Sequence, residues 1–488
     1  MELYNGHVSY NGTFEYKGKL TGFGMRPTGD TLSPYAVICF GEQDGLHQRS
    51  RLSSRLIFHD VKEMGKNKTP IDFTQEAFAY ARWKTFNAFQ FPHRINPIHL
   101  NDIFDMDLPC RKSSPGIPWQ PYFKTRGQVM DCYAARNSIR WLWHRVKKGE
   151  DVCMPDTKVL YRSHISEAGK PKIRAVYGYP TTVTLAEAQF AVPLIAQFKK
   201  LELPYCYKYS MGLGGANKLR TDIKRYKFFT CLDFKGFDKC ATNELIEMAF
   251  DVLLQNLDFS RYHASGVPDS TRLFREWRKI IEYFKRTPLR FFNGHRVQKD
   301  GGIPSGSYFT QMIGSIINYF IITFMYYRQL GRGPDFLTVF GDDSVAADDE
   351  KICFGKAIHD VYTYLGYVFN IDKSKFTDRV DDVEYLGFGI SGGFPRRPFK
   401  KWLESLYYPE HPDMSWDDFA SRALGLLYAN SGVDQTFDLM CRTVLYHKPF
   451  RIKLTRDFQR FLENIGVTIE GMQVTPPSAM DLLFSLLK

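Results

Sequence analysis

The chain has 488 residues, of which 44% are hydrophobic and 15% aromatic, so it can bury a sizeable core and is not disordered throughout. A net charge of +12 and a pI near 9.1 point to a polyanionic partner, nucleic acid before an anionic membrane, although a basic soluble enzyme fits the charge equally well. The nine cysteines include no CxxC pair, which argues against a disulfide framework or zinc ribbon and for a reducing compartment.

The opening stretch MELYNGHVSYNG has no basic segment followed by an apolar run, so no signal peptide is expected. Residues 111–119, RKSSPGIPW, form a turn, and 128–148 reads as a helix that becomes basic from His144 to Lys148. Strands are expected in KVLYRSHI (158–165) and PKIRAVYGYP (171–180), and an apolar-periodic helix over 182–203. KFFTCL (227–232) is a short strand ending at Asp233, and a helix runs from Thr242 to Leu257 with Thr242 or Asn243 as its cap. A hairpin turns at Asn293-Gly294, and a glycine-rich loop, Gly301 to Ser307, leads into a long helix from Thr310 to Leu330. The apolar run within that helix, Ile316 to Tyr327, contains Asn318 and falls short of the ~20 residues that span a membrane, so it reads as buried and no membrane span is expected. Leu337–Phe340 and Ser344–Ala347 are strands joined by Gly341-Asp342-Asp343. Asp348-Asp349-Glu350 reads as a solvated helix start, before a helix from about Lys351 to Leu365. Beyond Lys401 the pattern is mostly helical, including SWDDFASRALGLLY with its Ser or Asp cap.

Asp233 at a strand end and Asp342-Asp343 at a hairpin tip are carboxylates on rigid supports. Adjacent acids repel unless a cation neutralises them. Two divalent ions about 3.5–4 Å apart can do so while clamping both oxygens of a phosphoryl displacement. Few, hard carboxylate ligands suit Mg²⁺. Alone, however, Gly-Asp-Asp is also a common surface turn. Upstream, Gly301, Gly302 and Gly306 would let a backbone approach a nucleic-acid strand. Ser305 and Asn318 could read a ribose hydroxyl, with Asp238 orienting both. The bland alternative is a loop capping a buried helix. Lys170, Lys172 and Arg174 alternate, which in a strand puts them on one face, able to meet a triphosphate, with Arg174 foremost because a guanidinium grips phosphate oxygens in pairs.

These segments, in this order, resemble the palm of viral RNA-dependent RNA polymerases. DFKGFD (233–238) looks like motif A, SGSYFTQMIGSIIN (305–318) like motif B with its SG-x3-T-x7-N pattern complete, and FGDDS (340–344) like motif C. GIPSGSYFTQ and the serine after Gly-Asp-Asp look most like partitiviruses, with picobirnaviruses the near alternative. KPKIRAVYG (170–178) resembles motif F, NIDKSKF (370–376) motif D, EYLGFGISGGFPRRP (384–398) motif E, and SSPGIPW (113–119) motif G; the likeness covers about residues 111–395.

The resemblance implies an α+β right-hand polymerase with an antiparallel palm sheet. It divides into 1–226 (N-terminal region and fingers), 227–258 (palm, motif A), 259–300 (fingers insert), 301–390 (palm, motifs B to E) and 391–488 (thumb and C-terminal region). It implies catalysis by Asp233, Asp342 and Asp343, holding two Mg²⁺ ions with Mn²⁺ as a substitute. Lys373 is the general acid, with Lys375 a competitor. Lys170, Lys172, Arg174, Asp238, Ser305, Thr310 and Asn318 bind the nucleotide, and Ser113, Ser114, Gly116 and Gly306 line the template path. The implied partners are template and product RNA, rNTPs and a viral capsid or particle, with work inside the virion or host cytoplasm. Two other readings stand beside this one, a reverse transcriptase and a non-catalytic RNA-binding capsid protein.

Overall fold

The structure, a computed structural model, describes residues 14–25, 31–167, 169–205, 207, 209–453, 459, 462 and 475–487; MELYNGHVSYNG and Cys206 lie outside these. Among the described residues the strands are, in chain order, β1 (Phe14–Lys19), β2 (Gln48–Arg49), β3 (Thr157–Ser163), β4 (Ile165–Ser166), β5 (Ile173–Gly178), β6 (Phe228–Cys231), β7 (Pro288–Arg290), β8 (His295–Lys299), β9 (Phe336–Phe340), β10 (Asp343–Asp348), β11 (Lys375–Thr377), β12 (Glu384–Tyr385) and β13 (Phe388–Gly389).

Two sheets organise the chain. The larger has the order β1-β8-β7-β3-β5, antiparallel except where β7 meets β3. The expected hairpin supplies β7 and β8: Phe291 N–H donates to the His295 carbonyl, and Gly294 takes φ +88° at the turn. The smaller sheet, β11-β6-β10-β9, is antiparallel throughout.

Side chains alternate across a strand, and the smaller sheet uses both faces. Phe229, Cys231, Val345 and Ala347 join one buried cluster, with Trp402, Leu406, Phe419 and Leu424 of the helices Phe399–Tyr407 and Trp416–Asn430. Val339 and Ala346 join the other, with the helix Thr310–Leu330, buried from Met312 to Tyr326 as its apolar run requires. The sheet is thus sandwiched, and its loop end is the rigid edge from which the acidic residues project.

Most expected elements stand within a few residues of their reading. Thr242 does cap the helix Asn243–Leu254, its hydroxyl accepting from Leu245 N–H. The 128–148 segment is two helices, Arg126–Asp131 and Tyr133–Lys148, broken where Cys132 takes extended backbone (φ −84°, ψ 116°). Two readings fail. Asp348 is not a solvated helix start: it ends β10, is fully buried, and the next helix begins at Phe354. Of the three basic residues only Arg174 is in β5; Lys172 immediately precedes the strand, and Lys170, exposed further upstream, pairs with Glu167 at 2.9 Å.

Candidate active site

Two backbone constructions hold the acidic residues. β6 pairs Cys231 with Val345 of β10, so Asp233, two residues further on, stands level with the start of β10. Its backbone is clamped from the 370–374 turn. Its N–H donates to Ser374 Oγ (3.1 Å), and its carbonyl accepts from Asn370 N–H (2.7 Å).

The other construction is the β9–β10 turn. Phe340 pairs with Asp343, leaving Gly341 and Asp342 at the tip. Gly341 takes φ +65°, and a Cβ there would come within 2.9 Å of the Gln311 amide, so the turn needs glycine. The helix Thr310–Leu330 fixes its height. Gly341 N–H donates to Ser315 Oγ (2.8 Å), and Asn318 Nδ2 donates to the carbonyls of Gly341 (3.0 Å) and Asp343 (3.3 Å). Asn318 is fully buried, and its Oδ1 has no protein partner.

Burial first, and then neighbouring acids, raise the carboxyls of Asp343, Asp342 and Asp238. Burial, then Asp342, then Asp233 push Asp343 up to about 7. Burial and the charge of Asp233 raise Asp342, against the pull of Arg174. Asp238 is pushed up to about 7 by burial and Asp342. Asp342 and Asp238 open onto solvent, so water weakens these effects. Among the described residues no Lys, Arg or His comes within ion-pair distance of Asp233, Asp238, Asp342 or Asp343.

The basic residues stand beside them without pairing. Burial, then the charges of Arg174 and Lys373, push the Lys172 ammonium down, while Asp233 draws it up. Lys172, Arg174, Lys373 and the acids thus share one neighbourhood. Lys373 lies exposed at the 370–374 turn, whereas Lys375 is in β11 with its ammonium 2.6 Å from Glu384. The structure therefore separates two lysines that the sequence left open.

Other expected site residues have different occupations. No hydrogen bond joins Asp238 to Ser305 or Asn318 among the described residues; Ser305 Oγ accepts from Tyr177 N–H (3.3 Å) of β5. The Thr310 hydroxyl is used inside its own loop, donating to the carbonyls of Pro304 (2.5 Å) and Ser307 (3.0 Å). The glycines make close contacts with protein: a Cβ on Gly306 would lie 1.8 Å from the Tyr177 carbonyl, and Gly301 and Gly302 pack against Gly65. The 113–116 loop docks on the end of β5. Pro115 accepts from the Thr181 hydroxyl (2.8 Å), and Gly116, at φ +69°, leaves no space for a Cβ beside the Tyr179 carbonyl. Ser113 accepts from Arg126 N–H through its carbonyl, and Ser114 is exposed.

Three residues escaped sequence reading. Asp60, in the helix Ser54–Lys62, accepts from Ala175 N–H (2.8 Å) beside Arg174 and binds the ammonium of Lys239, tying β5 to the segment that carries Asp233. Ser315 holds Gly341. Glu187 holds Ser307 and Tyr308. Asp60 and Glu187 lie 115 and 121 residues from the backbone they bind and outside every motif, so no local signal could mark them.

The donor set fits divalent metal. Three hard carboxylates stand at fixed backbone positions, and among the described residues none has an ion-pair partner. Among the described residues no three ligating side chains close round one point as a ready-made cage. Mg²⁺ does not need one, because it keeps several waters and takes substrate phosphates as ligands.

The family model for viral RNA-dependent RNA polymerase matches residues 50–444. The chain is 27% identical over 340 residues to the RNA-directed RNA polymerase of Atkinsonella hypoxylon virus, covering 60% of this chain and 50% of that one. Against the RNA-directed RNA polymerase of Cryptosporidium parvum virus 1 it is 26% identical over 365 residues, covering 68% and 65%. Against that of White clover cryptic virus 1 it is 22% identical over 405 residues, covering 75% and 64%. The chain therefore spans between half and two thirds of the length of these relatives, and its likeness is to partitivirus-like and cryptic viruses, as its motifs suggested. A Sicinivirus 3Dpol RNA-dependent RNA polymerase superposes with a TM-score of 0.68 at 14% identity, covering 92% of this chain and 99% of that one, which shows a right-hand polymerase fold.

Proposed function

The chain belongs to the viral RNA-dependent RNA polymerase family, and from that premise we propose that it is an RNA-directed RNA polymerase that replicates and transcribes the genome of a partitivirus-like double-stranded RNA virus. One observation carries the reading. Among the described residues Asp233, Asp342 and Asp343 converge without an ion-pair partner, beside Lys172, Arg174 and Lys373, which have no carboxylate within ion-pair distance. An acidic cluster next to unpaired cations suits metal-bound triphosphate.

Asp233 and Asp342 would hold two Mg²⁺ ions, with Asp343 in a lesser or shared role and Mn²⁺ as a substitute. When bound, the ions supply Lewis-acid stabilisation of the attacking 3′-hydroxyl and the departing pyrophosphate. Lys172 and Arg174 receive the triphosphate, Arg174 through paired hydrogen bonds. The Oδ1 of Asn318, buried and without a protein partner among the described residues, would accept from the ribose hydroxyl once the bound nucleotide opens access to it, and a deoxyribose would not supply that donor. Lys373, not engaged by an acid, donates a proton to pyrophosphate, a role that the Glu384 contact denies Lys375.

Residues 1–226 and 259–300 would form the fingers, 227–258 and 301–390 the palm, and 391–488 the thumb. The larger sheet favours this division, since the 259–300 insert contributes β7 and β8 to the same sheet as β3 and β5. Ser113, Ser114, Gly116 and Gly306 border the template path. A capsid partner and work inside the virion or host cytoplasm complete the proposal; the eight described cysteines, all free, suit a reducing setting.

The test incubates the purified chain with a defined single-stranded RNA template, Mg²⁺ and either rNTPs or dNTPs. Ribonucleotide incorporation is expected. A preference for dNTPs would overturn the reading in favour of a reverse transcriptase. Unchanged incorporation by Asp233→Asn combined with Asp342→Asn would remove the catalytic assignment.

A further inference from the structure

The loop 304–309 follows β8, packs against β5 and leads into the helix that holds the Gly341–Asp343 turn, and one buried side chain grips it from outside. Glu187, in the helix Thr181–Lys200, is fully buried. Its Oε1 accepts from the Ser307 hydroxyl (2.7 Å) and its Oε2 from Tyr308 N–H (2.8 Å). Among the described residues no cation lies within ion-pair distance of it, and burial pushes its carboxyl up to about 8 against the pull of Ser307, Tyr308 and Arg126.

A buried carboxyl without an ion pair is expensive, yet its position explains it. The helix Thr310–Leu330 has no capping side chain of its own at Phe309 and no acid in its first turn. Glu187 stands in as a cap from another helix, accepting from the N–H just before Phe309, while the Ser307 hydroxyl oxygen accepts from Phe309 N–H (3.0 Å). On the other side of the loop, Ser305 accepts from Tyr177 N–H, three residues past Arg174, and Gly306 is pressed against the Tyr177 carbonyl. Four consecutive residues, 305–308, are thus docked between the triphosphate strand and Glu187. The helix they lead into carries Ser315 and Asn318, which hold the catalytic turn.

We propose that Glu187 is a positioning residue that latches the 305–308 loop, setting the distance between the triphosphate-binding strand and the Asn318 ribose check. It acts through the loop and touches no substrate. This rests on the polymerase reading given above. Releasing the latch lets the loop and the first turn of the helix shift, which disturbs nucleotide placement before it disturbs the aspartates.

The test uses the full chain carrying Glu187→Gln, Ser307→Ala or both. Glutamine keeps one acceptor but presents an amide N–H to the other donor. Three quantities are read: KM and kcat for single-nucleotide incorporation, the ratio of rNTP to dNTP use, and amide hydrogen exchange over 307–310. In Glu187→Gln the KM for rNTP should rise on the order of tenfold with kcat changed far less, since the lost bond acts on placement and not on the chemical step. Ribose selectivity should fall, and exchange at Tyr308 and Phe309 should accelerate. Ser307→Ala should give part of this, and the double variant no more than Glu187→Gln alone. Unchanged KM and selectivity in Glu187→Gln, whatever its melting temperature, would make Glu187 merely structural and overturn the proposal. Unchanged exchange at Tyr308 would overturn it too, even if the wild-type chain incorporated no nucleotide, a separate result that would count against the polymerase reading itself.

Discussion

Strand β10 begins and ends with an aspartate, and the fold treats the two in opposite ways. Asp348, at the inner end, is fully buried and bonded to both terminal nitrogens of Arg332 (2.7 and 2.8 Å) and to the N–H groups of Asp335 (3.1 Å) and Glu350 (2.8 Å). Burial alone would raise it, but Arg332 and the two N–H groups more than offset this and hold it below the usual carboxylate value. Asp343, at the outer end, has no such partner and is pushed up to about 7 by burial, Asp342 and Asp233. The same β-hairpin can neutralise an aspartate completely. Where it does not, the missing countercharge marks a place for a cation from outside. Lys375 and Lys373 repeat the contrast with the sign reversed: one is held by Glu384 and the other left open.

The contrast is broken most directly by removing charge at each end. Asp342→Asn together with Asp233→Asn should lower nucleotide incorporation at least about a thousandfold, because the metal ligands act as a unit. The melting temperature should hold or rise as repulsion is relieved. If the double variant instead unfolds, the outer acids are structural and the comparison fails. Next in size, Lys373→Leu should reduce kcat by about a hundredfold, the loss expected of a general acid, and Lys375→Leu by only a few-fold; equal losses would show that the Glu384 contact does not separate their roles. At the inner end, Asp348→Asn should cost about 2 kcal/mol of stability by urea unfolding, since it leaves Arg332 half-paired. The folded variant should still incorporate nucleotide. Lost activity at full stability would place Asp348 in the site instead.

How much of this could be read from sequence follows the range of the interactions. The β9–β10 hairpin, the cap at Thr242, the turn at Asn293-Gly294 and the buried helix behind Asn318 depend on neighbours in the chain, and alternation or periodicity reveals them. Asp348 was misread because an acidic run looks the same whether it is solvated or meets Arg332 across a turn. Lys170 and Lys172 precede β5, so the alternation of the three basic residues runs past the start of the strand. The glycines of the 301–306 loop suggest in sequence a close approach to nucleic acid, whereas their close neighbours in the fold, Gly65 and Tyr177, lie far away in sequence. Asp60, Ser315 and Glu187 are ordinary polar residues in helices, and only the folded chain shows which backbone groups they hold.

The smallest expected effect concerns pH, where the two ends of β10 should respond with opposite sign. Asp348 has a folded value below its ordinary 3.8, so its contribution to stability is present above that pH and is lost as pH falls through the depressed value. Asp343 has a folded value raised from 3.8 to about 7, so its contribution is complete below 3.8 and is lost as pH rises through about 7. Glu187, raised from 4.5 to about 8, works in the same direction as Asp343 and carries the loss somewhat higher. With chelator present, the urea midpoint of the wild-type chain should therefore fall between about pH 4 and 8 in addition to its acid loss. Asp343→Asn should reduce, without abolishing, the part of that fall below about pH 7, to which Asp238 and Asp342 also contribute, Glu187→Gln should flatten the part reaching to about 8, and Asp348→Asn the acid loss alone. A cation bound by the outer acids favours their charged forms, so adding Mg²⁺ should erase the Asp343 part and leave the Glu187 and Asp348 parts unchanged. If Mg²⁺ left the neutral-pH slope as it was, the outer acids would not be the cation site that the absence of a second Arg332 implies.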